Sequence, residues 1–347
     1  MNQFKMRRSA SLAACVLVAL TATAAASAGG SRVSAPALTN VSVMADYFLG
    51  FYHAPFFVAE EKGWYKAAGI NVTYYTGTGS DNTASQVSAG RDTFGLVGAD
   101  AVARADSHGE GITDVAQLID NSGLCAVVRA NSGIDTIAQL AGKSYASAPG
   151  GLTTSLLPEL EKAAGLQSGA IKLVPASYTA IIPGFLQGKF TSIGGFDYGE
   201  VLEANHEGVP SKCISFATSG VPVLGFSLIT KNSEMTSDPQ VVKGFVQATI
   251  RAWIWTFAHP QQALDIMEKM ASKTELEALF PNSVNLLGFK TMQKDLVGQT
   301  ARTKGTPLGC SSSANWLSME KTLVAGGNIP KVIPPSQLFT NQFVGNC

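Results

Sequence analysis

Residues 46–72 read DYFLGFYHAPFFVAEEKGWYKAAGINV and give the clearest indication of the fold. Just before them, residues 41–44 are β-prone, and an aromatic loop follows. Pro55 stands where the first turn of a helix tolerates proline, and Gly63 is placed to end that helix. Residues 70–75 are a second strand candidate. The stretch therefore predicts a strand, an aromatic loop, a helix and a second strand.

The same alternation continues along the chain. Asp81 is a suitable cap for a helix over residues 82–89, Gly90 is placed to end it, and residues 94–97 are the next strand candidate. Strands that alternate with helices pair in parallel through right-handed crossovers. We therefore predict a parallel α/β arrangement for this part of the chain.

A second run of elements begins near residue 124. We predict strands at residues 124–128 and 143–147, a helix at residues 134–141 between them, and a helix from Ser155 after a glycine turn. Strand-like segments follow at residues 171–174, 191–194, 213–216 and 223–230. The renewed pattern indicates a second sheet, and the last segment is interpreted as a strand that returns to the first one.

Apolar side chains four residues apart predict one buried face of a long helix. They are Val241, Phe245, Thr249 and Trp253, with Val242, Val246, Ile250 and Ile254 beside them. We interpret this stripe as core and not as a cofactor site. From Gly305 the chain is rich in Gly, Ser and Pro, which predicts loops and a short helix held against the first domain.

The composition favours two globular domains and argues against polyanionic partners. The chain has 347 residues, 46% apolar and 14% charged, which suffices for two cores at roughly 100–200 residues per domain. Lys plus Arg and Asp plus Glu are equal at 25 each. Because no net charge attracts nucleic acid or an anionic membrane surface, we expect neither as a partner.

The amino terminus has the features of an export signal. Lys5, Arg7 and Arg8 form a basic start, residues 12–26 are apolar, and small residues follow at 26–28. The apolar run is about 15 residues long, shorter than the roughly 20 that cross a bilayer. We predict that residues 1–28 are a signal peptide, cleaved near Ala28 and Gly29, and that the mature protein is periplasmic.

The cysteines also suit an oxidising compartment. Residues 12–15 resemble a lipoprotein cleavage box, but the apolar run continues beyond Cys15, so we expect Cys15 to be removed with the signal. The four that remain allow three pairings. We favour Cys310 with Cys347 and Cys125 with Cys213, on chain proximity and predicted strand position.

Residues 46–72 resemble the opening of the thiamine-pyrimidine binding proteins and of their relatives for sulfonates, nitrate and riboflavin, the NMT1/THI5-like group. The resemblance spans approximately residues 41–270. Its further matching segments are residues 89–95, 140–144, 226–230 and 248–263.

This resemblance implies a type II periplasmic binding protein fold: two α/β domains joined by a two-strand hinge, closing on a ligand in the cleft between them. We expect residues 29–125 and 223–347 in lobe 1 and residues 126–222 in lobe 2. We expect a monomer without a cofactor, which captures a small aromatic or heterocyclic molecule of the pyrimidine- or thiamine-precursor kind. Its membrane partner would be an ABC permease in the inner membrane.

Candidate ligand contacts follow from the strand ends, because ligands of open α/β sheets lie at the carboxyl ends of strands. In the first loop they are Tyr47, Phe48, Phe51, Tyr52 and His53. So many aromatic residues suit stacking on a flat ring. We expect about half of them to contact ligand and the others to pack beneath the loop. For His53, hydrogen bonding at a helix start is an equal alternative.

Two helix starts offer polar groups for the ligand, through backbone N–H groups and hydroxyls. The candidates are Gly79, Ser80 and Asp81 in lobe 1 and Gly150, Gly151, Thr153 and Thr154 in lobe 2. No Gly-Lys-Ser/Thr ending follows the glycine pair, so it is not a nucleotide loop.

The resemblance adds Asp197, Tyr198 and Glu200, next to Phe196, as ligand-facing residues. In the family an acidic residue is expected after Phe190, but Thr191 stands there in this chain. This departure leaves the subfamily open. A sulfonate- or nitrate-type anion-binding protein and a ligand-binding module for a sensor therefore remain as alternatives.

An enzyme is the third alternative. The chain also resembles a yeast-type pyrimidine synthase, in which a histidine of the His53 type is consumed and a cysteine-rich iron motif is required. No clustered cysteines occur in this sequence, and export would separate such an enzyme from cytosolic cofactors. The four histidines lack metal-ligand spacing, and neither Gly-x-Ser-x-Gly nor His-Glu-x-x-His occurs. We therefore expect no catalysis and no metal.

Overall fold

The computed structural model describes residues 3–4, 37–149, 151–271, 280–296, 308–345 and 347. Except for residues 3–4, the predicted signal peptide lies outside the described residues, and so does Gly150. Within these ranges, none of the helices combines the length and the apolar content that crossing a bilayer requires.

The described strands form two mixed sheets, with the orders β1-β3-β2-β4-β11-β5 and β10-β6-β9-β7-β8. Their bounds are Gln3–Phe4 (β1), Thr39–Met44 (β2), Ile70–Tyr75 (β3), Phe94–Gly98 (β4), Ile112–Gln117 (β5), Leu124–Arg129 (β6), Ser144–Ser147 (β7), Lys172–Pro175 (β8), Ser192–Phe196 (β9), Ser211–Ser215 (β10) and Phe226–Lys231 (β11). β1 is part of the predicted signal peptide.

The first sheet has the predicted parallel centre. β2 pairs in parallel with β3 on one side and β4 on the other. β3 alternates buried and half-buried residues, whereas β4 and β5 are buried throughout, as expected for strands covered on both faces. The returning strand β11 lies antiparallel between β4 and β5, which confirms the predicted crossing back.

The second sheet combines both pairing modes. β7 pairs in parallel with β8 and β9, and β6 lies antiparallel between β9 and β10. Cys125 on β6 and Cys213 on β10 form a disulfide, which confirms the predicted pairing. Because every strand of this sheet lies between residues 124 and 215, the sheet is continuous in sequence.

Helices cover the sheets and begin where several strands end. Their bounds are Ala54–Glu61 (α1), Trp64–Ala67 (α2), Ser80–Ser88 (α3), Ala99–Ser107 (α4), Leu152–Ser155 (α5), Leu157–Ala163 (α6), Tyr178–Leu186 (α7), Glu200–His206 (α8), Asn232–Ser237 (α9), Pro239–Ala258 (α10), Pro260–Met270 (α11), Asn282–Thr291 (α12), Ser313–Ala325 (α13) and Pro335–Leu338 (α14), with 3-10 turns at Phe51–His53 and Ile137–Leu140 and a π turn at Met292–Leu296.

The helix predicted at residues 134–141 is wrong, because only a 3-10 turn at Ile137–Leu140 forms there. Ile134, Ile137 and Leu140 are buried while their neighbours are exposed. Their spacing of three matches a 3-10 turn, which has three residues per turn, and not the 3.6 of an α-helix.

Two predicted helix starts also need correction. α3 begins at Ser80 with Gly79 as its cap, so Asp81 lies in the first turn, where its carboxylate binds Arg104. The helix predicted from Ser155 begins earlier, at Leu152. Both errors are of one to three residues, the usual uncertainty where a glycine precedes a helix.

The long helix α10 confirms the predicted core stripe. Phe245, Thr249 and Trp253 are fully buried, and the Phe245 ring stacks on Phe94 of β4 with a centroid separation of 3.9 Å. Ile254 departs from the stripe, because 57% of it is exposed. α10 therefore anchors the first sheet from one face.

Two chain segments connect the sheets. Residues 118–123 lead from β5 to β6, and residues 216–225 lead from β10 back to β11. They lie side by side, since Gly225 N–H donates to the Ile119 carbonyl at 2.9 Å and Ser122 N–H donates to the Val223 carbonyl at 3.1 Å. This pair of segments is the two-strand hinge between the α/β domains.

The carboxyl-terminal segment is fastened to the first sheet, as predicted. Cys310 and Cys347 form the second disulfide, and this pairing too is confirmed. The Ser311 hydroxyl donates to Asp114 of β5 at 2.6 Å, and Phe339 forms a parallel bridge with Asp114. Between these attachments, α13 contacts both α4 and α6. The segment therefore touches both lobes.

Candidate functional site

A cavity of about 200 Å³ lies between the two lobes, next to the hinge. Strand ends and helix starts of both sheets form its wall, as the rule for open α/β sheets predicts. The hinge contributes Ile119, Ser122, Leu224 and Gly225. The cavity therefore lies where the two α/β domains meet the hinge.

One group of rings spans the cleft. Tyr47 and Phe48 follow β2 in lobe 1, and Tyr178 begins α7 in lobe 2. The Tyr178 ring lies 5.7 Å from Tyr47 and 4.9 Å from Phe48, measured between centroids. Because these contacts join the lobes across the cavity, the structure corresponds to a closed arrangement.

A second group of rings lines the inner part of the cavity. Tyr52 stacks on Phe226 of β11 at 4.8 Å, and Tyr198 stacks on Phe196 of β9 at 5.0 Å. Tyr52 and Tyr198 are 6.3 Å apart, so the two pairs meet across the lobes. Burial, followed by the nearby Asp46 carboxylate, raises the pKa of both tyrosines, which therefore stay protonated.

Asp46 presents a carboxylate that His53 holds in place. The Gly50 N–H donates to His53 Nδ1 at 2.9 Å, which leaves Nε2 as the protonated ring nitrogen. Nε2 in turn donates to Asp46 Oδ1 at 2.9 Å. His53 is fully buried, whereas the Asp46 side chain lines the cavity. The histidine is therefore a positioning residue behind the cleft wall.

Glu200 presents a second carboxylate, from lobe 2. Its Oε1 accepts a hydrogen bond from the Tyr178 hydroxyl at 2.8 Å, and its Oε2 accepts one from the Phe196 N–H at 2.7 Å. Burial raises the pKa of Glu200. Gly195 lies so close that a Cβ there would be 2.8 Å from Oε2, which explains the glycine on β9.

Arg104 is the only lysine or arginine among the described residues that line the cavity. Its guanidinium donates to Asp81 Oδ1 at 2.7 Å and forms an ion pair with Asp100 Oδ2 at 2.6 Å. Asp81 and Asp100 lie in the first turns of α3 and α4. The three side chains form one network on the lobe 1 side.

Most predicted site residues line this cavity. They are Tyr47, Phe48, Tyr52, Gly79, Ser80, Asp81, Gly151, Thr153, Tyr198 and Glu200. Phe51, His53, Thr154 and Asp197 do not line it, and Gly150 lies outside the described residues.

The predicted residues that do not line the cavity have structural contacts. The Phe51 ring packs against Phe289 at 4.8 Å in the lobe 1 core. The Thr154 hydroxyl bonds Ser147 Oγ and the Ala148 carbonyl, both at 2.7 Å. The Thr153 hydroxyl also contacts Ser147 Oγ, but its side chain borders the cavity.

Several lining residues were missed in the sequence. Asp100 and Tyr178 lie in the first turns of the helices that follow β4 and β8, so the strand-end rule identifies them once it is applied to every strand. Arg104 lies one turn into α4, and Phe226 begins the returning strand. Neither position carries a local signal, because only the tertiary arrangement brings them to the cleft.

No group of three or more His, Cys, Asp or Glu side chains in the described part of the chain is arranged to hold a metal ion. The bilobed fold, the hinge and the cleft define the class: this is the fold of the periplasmic binding proteins. The model of the NMT1/THI5-like family matches residues 50–263. The chain therefore belongs to the NMT1/THI5-like family.

The names of this chain's relatives describe different roles. The chain is 24% identical to the riboflavin-binding protein RibY of Chloroflexus aurantiacus, over 93% of this chain and 91% of that protein. It is 22% identical to a 4-amino-5-hydroxymethyl-2-methylpyrimidine phosphate synthase of Legionella pneumophila, over 66% of this chain and 73% of that protein. Both a binding protein and an enzyme thus occur among its relatives.

A solved structure shares the fold over most of its length. The periplasmic aliphatic sulphonate binding protein SsuA from Escherichia coli superposes with a TM-score of 0.66, covering 86% of this chain and 91% of SsuA. The two sequences are 14% identical. At this identity the likeness concerns the fold and not the ligand.

Proposed function

We propose that the protein is an exported, monomeric solute-binding protein that captures a small aromatic or heterocyclic molecule by cleft closure and delivers it to an ABC permease. The observation that carries this proposal is the cavity itself, which is walled by rings and polar groups from both lobes and bordered by the hinge. Of the proposed lobe boundaries, 222/223 falls within the hinge segment 216–225, and 125/126 lies two residues beyond the hinge segment 118–123.

The size and lining of the cavity favour a ligand with one or two rings. At about 200 Å³ it is smaller than the roughly 300–1,000 Å³ of pockets for drug-sized molecules. Tyr47, Phe48 and Tyr178 offer ring faces, while Ser80 and Thr153 offer hydroxyls from opposite lobes. A flat molecule with polar edges matches this combination.

We further propose binding without catalysis. The resemblance to a yeast-type pyrimidine synthase implies that a histidine of the His53 type is consumed in that enzyme. In this chain both ring nitrogens of His53 are engaged, by Gly50 and Asp46, and the ring does not border the cavity. A residue in that position is suited to holding the cleft wall and not to reacting with a ligand.

The proposal is tested by changing one residue in each lobe. Native mass spectrometry of the purified protein first identifies a co-purifying small molecule, and calorimetry then measures its affinity for Tyr47→Ala and Thr153→Ala. We expect Tyr47→Ala to weaken binding by about 1–3 kcal/mol, by analogy with stacking on aromatic side chains. Thr153→Ala should weaken it by about 0.5–1.5 kcal/mol through a lost hydrogen bond.

Thr236→Ala serves as the matched control, because Thr236 is exposed on α9 away from the cavity. Its affinity should equal that of the unchanged protein. If both variants are folded and only one of them loses affinity, the ligand binds to a single lobe. That result would contradict binding by cleft closure. Conversion of the ligand during the measurement would contradict the absence of catalysis.

A further inference from the structure

The cleft carries more negative than positive side chains. Among the described residues that line it, Asp46, Asp81, Asp100 and Glu200 are acidic, whereas Arg104 is the only lysine or arginine. Arg104 forms ion pairs with two of these carboxylates, Asp81 and Asp100. Its single positive charge faces two acidic side chains, so this group of three does not favour an anionic ligand.

The helix starts in lobe 1 offer no free positive field either. The amino-terminal ends of α3 and α4 border the cavity, and such ends normally favour anions. In this protein each end already has an acidic residue in its first turn, Asp81 in α3 and Asp100 in α4. The negative charges of these side chains oppose the binding of a sulfonate, nitrate or phosphate group near the same helix ends.

The two other carboxylates approach the same ring from opposite lobes. Asp46 belongs to lobe 1 and Glu200 begins α8 in lobe 2, and both charges act on Tyr198. Each lobe therefore contributes an acidic residue to the wall of the same cavity. A ligand with a positive charge would have an acidic partner in both lobes.

The rings between these carboxylates suit the same ligand. Tyr47, Phe48, Tyr178, Tyr52 and Tyr198 surround the cavity with centroid separations of 4.5–6.3 Å between neighbours. Ring faces carry partial negative charge and attract cations, and cages of several aromatic residues recognise quaternary ammonium groups. The rings and the carboxylates thus both favour a ligand with a positive charge.

We propose that the cleft selects an organic cation, namely a flat heteroaromatic ring that carries a positive charge, and that Asp46 and Glu200 determine this specificity. The inference rests on the proposed solute-binding function and specifies its ligand class.

The test uses ring systems that differ in charge but little in shape. The probes are 1-methylnicotinamide, nicotinamide and nicotinate, together with the pair 3-methylthiazolium and thiazole. Calorimetry at pH 8 measures each probe against the purified protein at up to about 10 mM. We expect at least one cationic probe to bind about 10-fold or more tightly than its neutral counterpart, since a desolvated cation–π contact alone contributes about 2 kcal/mol. Nicotinate should not bind.

Two variants then assign the specificity. Asp46→Asn and Glu200→Gln should each weaken the cationic probe by roughly 10-fold or more, because each removes a charge-assisted contact. The neutral probe should change by less than about 2-fold. Asp265→Asn on α11 and Glu207→Gln directly after α8 are matched controls at exposed positions and should leave both affinities unchanged. Melting temperatures verify that all variants are folded.

The outcomes separate this inference from the proposed function. Equal or tighter binding of a neutral or anionic probe, with contraction of the protein on binding, would overturn the cation preference and leave the solute-binding function in place. Binding of the cation that survives both carboxylate substitutions would overturn the role of Asp46 and Glu200. If no probe binds and no small molecule co-purifies, the proposed solute-binding function and the cation preference are both wrong.

Discussion

At the scale of single residues, Asp114 shows how a buried carboxylate links two parts of the chain. It lies on β5 and is completely buried, yet it accepts hydrogen bonds from Ser311 Oγ at 2.6 Å and from the Ala116 N–H at 3.1 Å. Burial is the larger effect and raises the pKa of Asp114 to about 7. The attachment of the carboxyl-terminal segment therefore includes a group that titrates near neutrality.

This carboxylate predicts a pH dependence of stability. In the unfolded chain an aspartate titrates near pH ~3.9, so between about pH 4 and 7 the folded state binds more protons than the unfolded state. The contribution of Asp114 to the free energy of unfolding therefore falls as the pH rises through this window and is constant above it. We expect Asp114→Asn to flatten the decline between pH 5 and 8, measured by urea unfolding.

The control for this experiment is Asp265→Asn, at an exposed position on α11. It should keep the slope of the unchanged protein, because it removes an exposed carboxylate and leaves the buried Asp114 in place. An Asp114→Asn variant with the same slope as the unchanged protein would show that Asp114 does not titrate in this range.

At the scale of elements, the carboxyl-terminal segment is a connection between the lobes beside the hinge. α13 ends at Ala325, and the next residue, Gly326, lies against Glu159 of α6 in lobe 2. Lys162 of α6 donates to the Ala325 carbonyl at 3.1 Å, and Asn328 contacts Glu159 directly. Trp316 and Leu323 of α13 belong to the same apolar cluster as Leu157 and Leu160 of α6.

The close approach of Gly326 to Glu159 predicts that any larger residue at position 326 destabilises the folded protein. A Cβ at this position would lie 1.8 Å from Glu159 Cδ, so Gly326→Ala forces the contact apart. We expect a loss of about 1–3 kcal/mol in the free energy of unfolding, which is typical of overpacking. Glu159→Ala creates space, so the double variant should lose less than the sum of the two single losses.

A double-mutant cycle by urea unfolding measures this coupling. The Gly327→Ala variant is a useful comparison, because no atom lies within 4 Å of its Cβ and its cost comes only from the positive φ of 80°. Additive losses in the Gly326 and Glu159 pair would mean that the helix and lobe 2 are not in contact in solution.

At the scale of the whole molecule, the two lobes are joined by the hinge and by the contact of α13 with α6, and they also touch through rings across the cavity. The hinge segments hold one side by backbone hydrogen bonds, whereas Tyr178 reaches Tyr47 and Phe48 across the cavity. These ring contacts involve three side chains, far fewer than the buried side chains that form the apolar cores of the lobes. The cleft can therefore open while each lobe keeps its fold.

Closure predicts a change of shape on binding. Small-angle scattering should give a smaller radius of gyration when a ligand that binds in calorimetry is added, since hinge closure brings the lobes together. The double variant Tyr47→Ala/Thr153→Ala is the control and should keep the larger radius at the same ligand concentration. A radius that is unchanged by saturating ligand in the unaltered protein would contradict the clamp.

Much of this architecture was predictable because it depends on local patterns. The periodicity of apolar residues and the positions of turn residues predicted most of the strands. The alternation of strands and helices predicted the parallel centre of the first sheet. The disulfide pairs followed from strand order and chain proximity, and both are confirmed. The helix expected at residues 134–141 failed because three buried residues spaced by three fit a 3-10 turn better.

What the sequence determined by itself is thus the order of elements, the two-lobed plan and the loops from which the cleft is built. Only the tertiary structure decided which side chains face the cleft: Phe51 turns into the core and His53 lies behind Asp46, while Tyr178 and Arg104 join the wall. The physical reason is that backbone patterns depend on neighbours in the chain. The direction of a loop side chain instead depends on packing partners in other elements, such as Phe289 for Phe51 and Tyr47 for Tyr178.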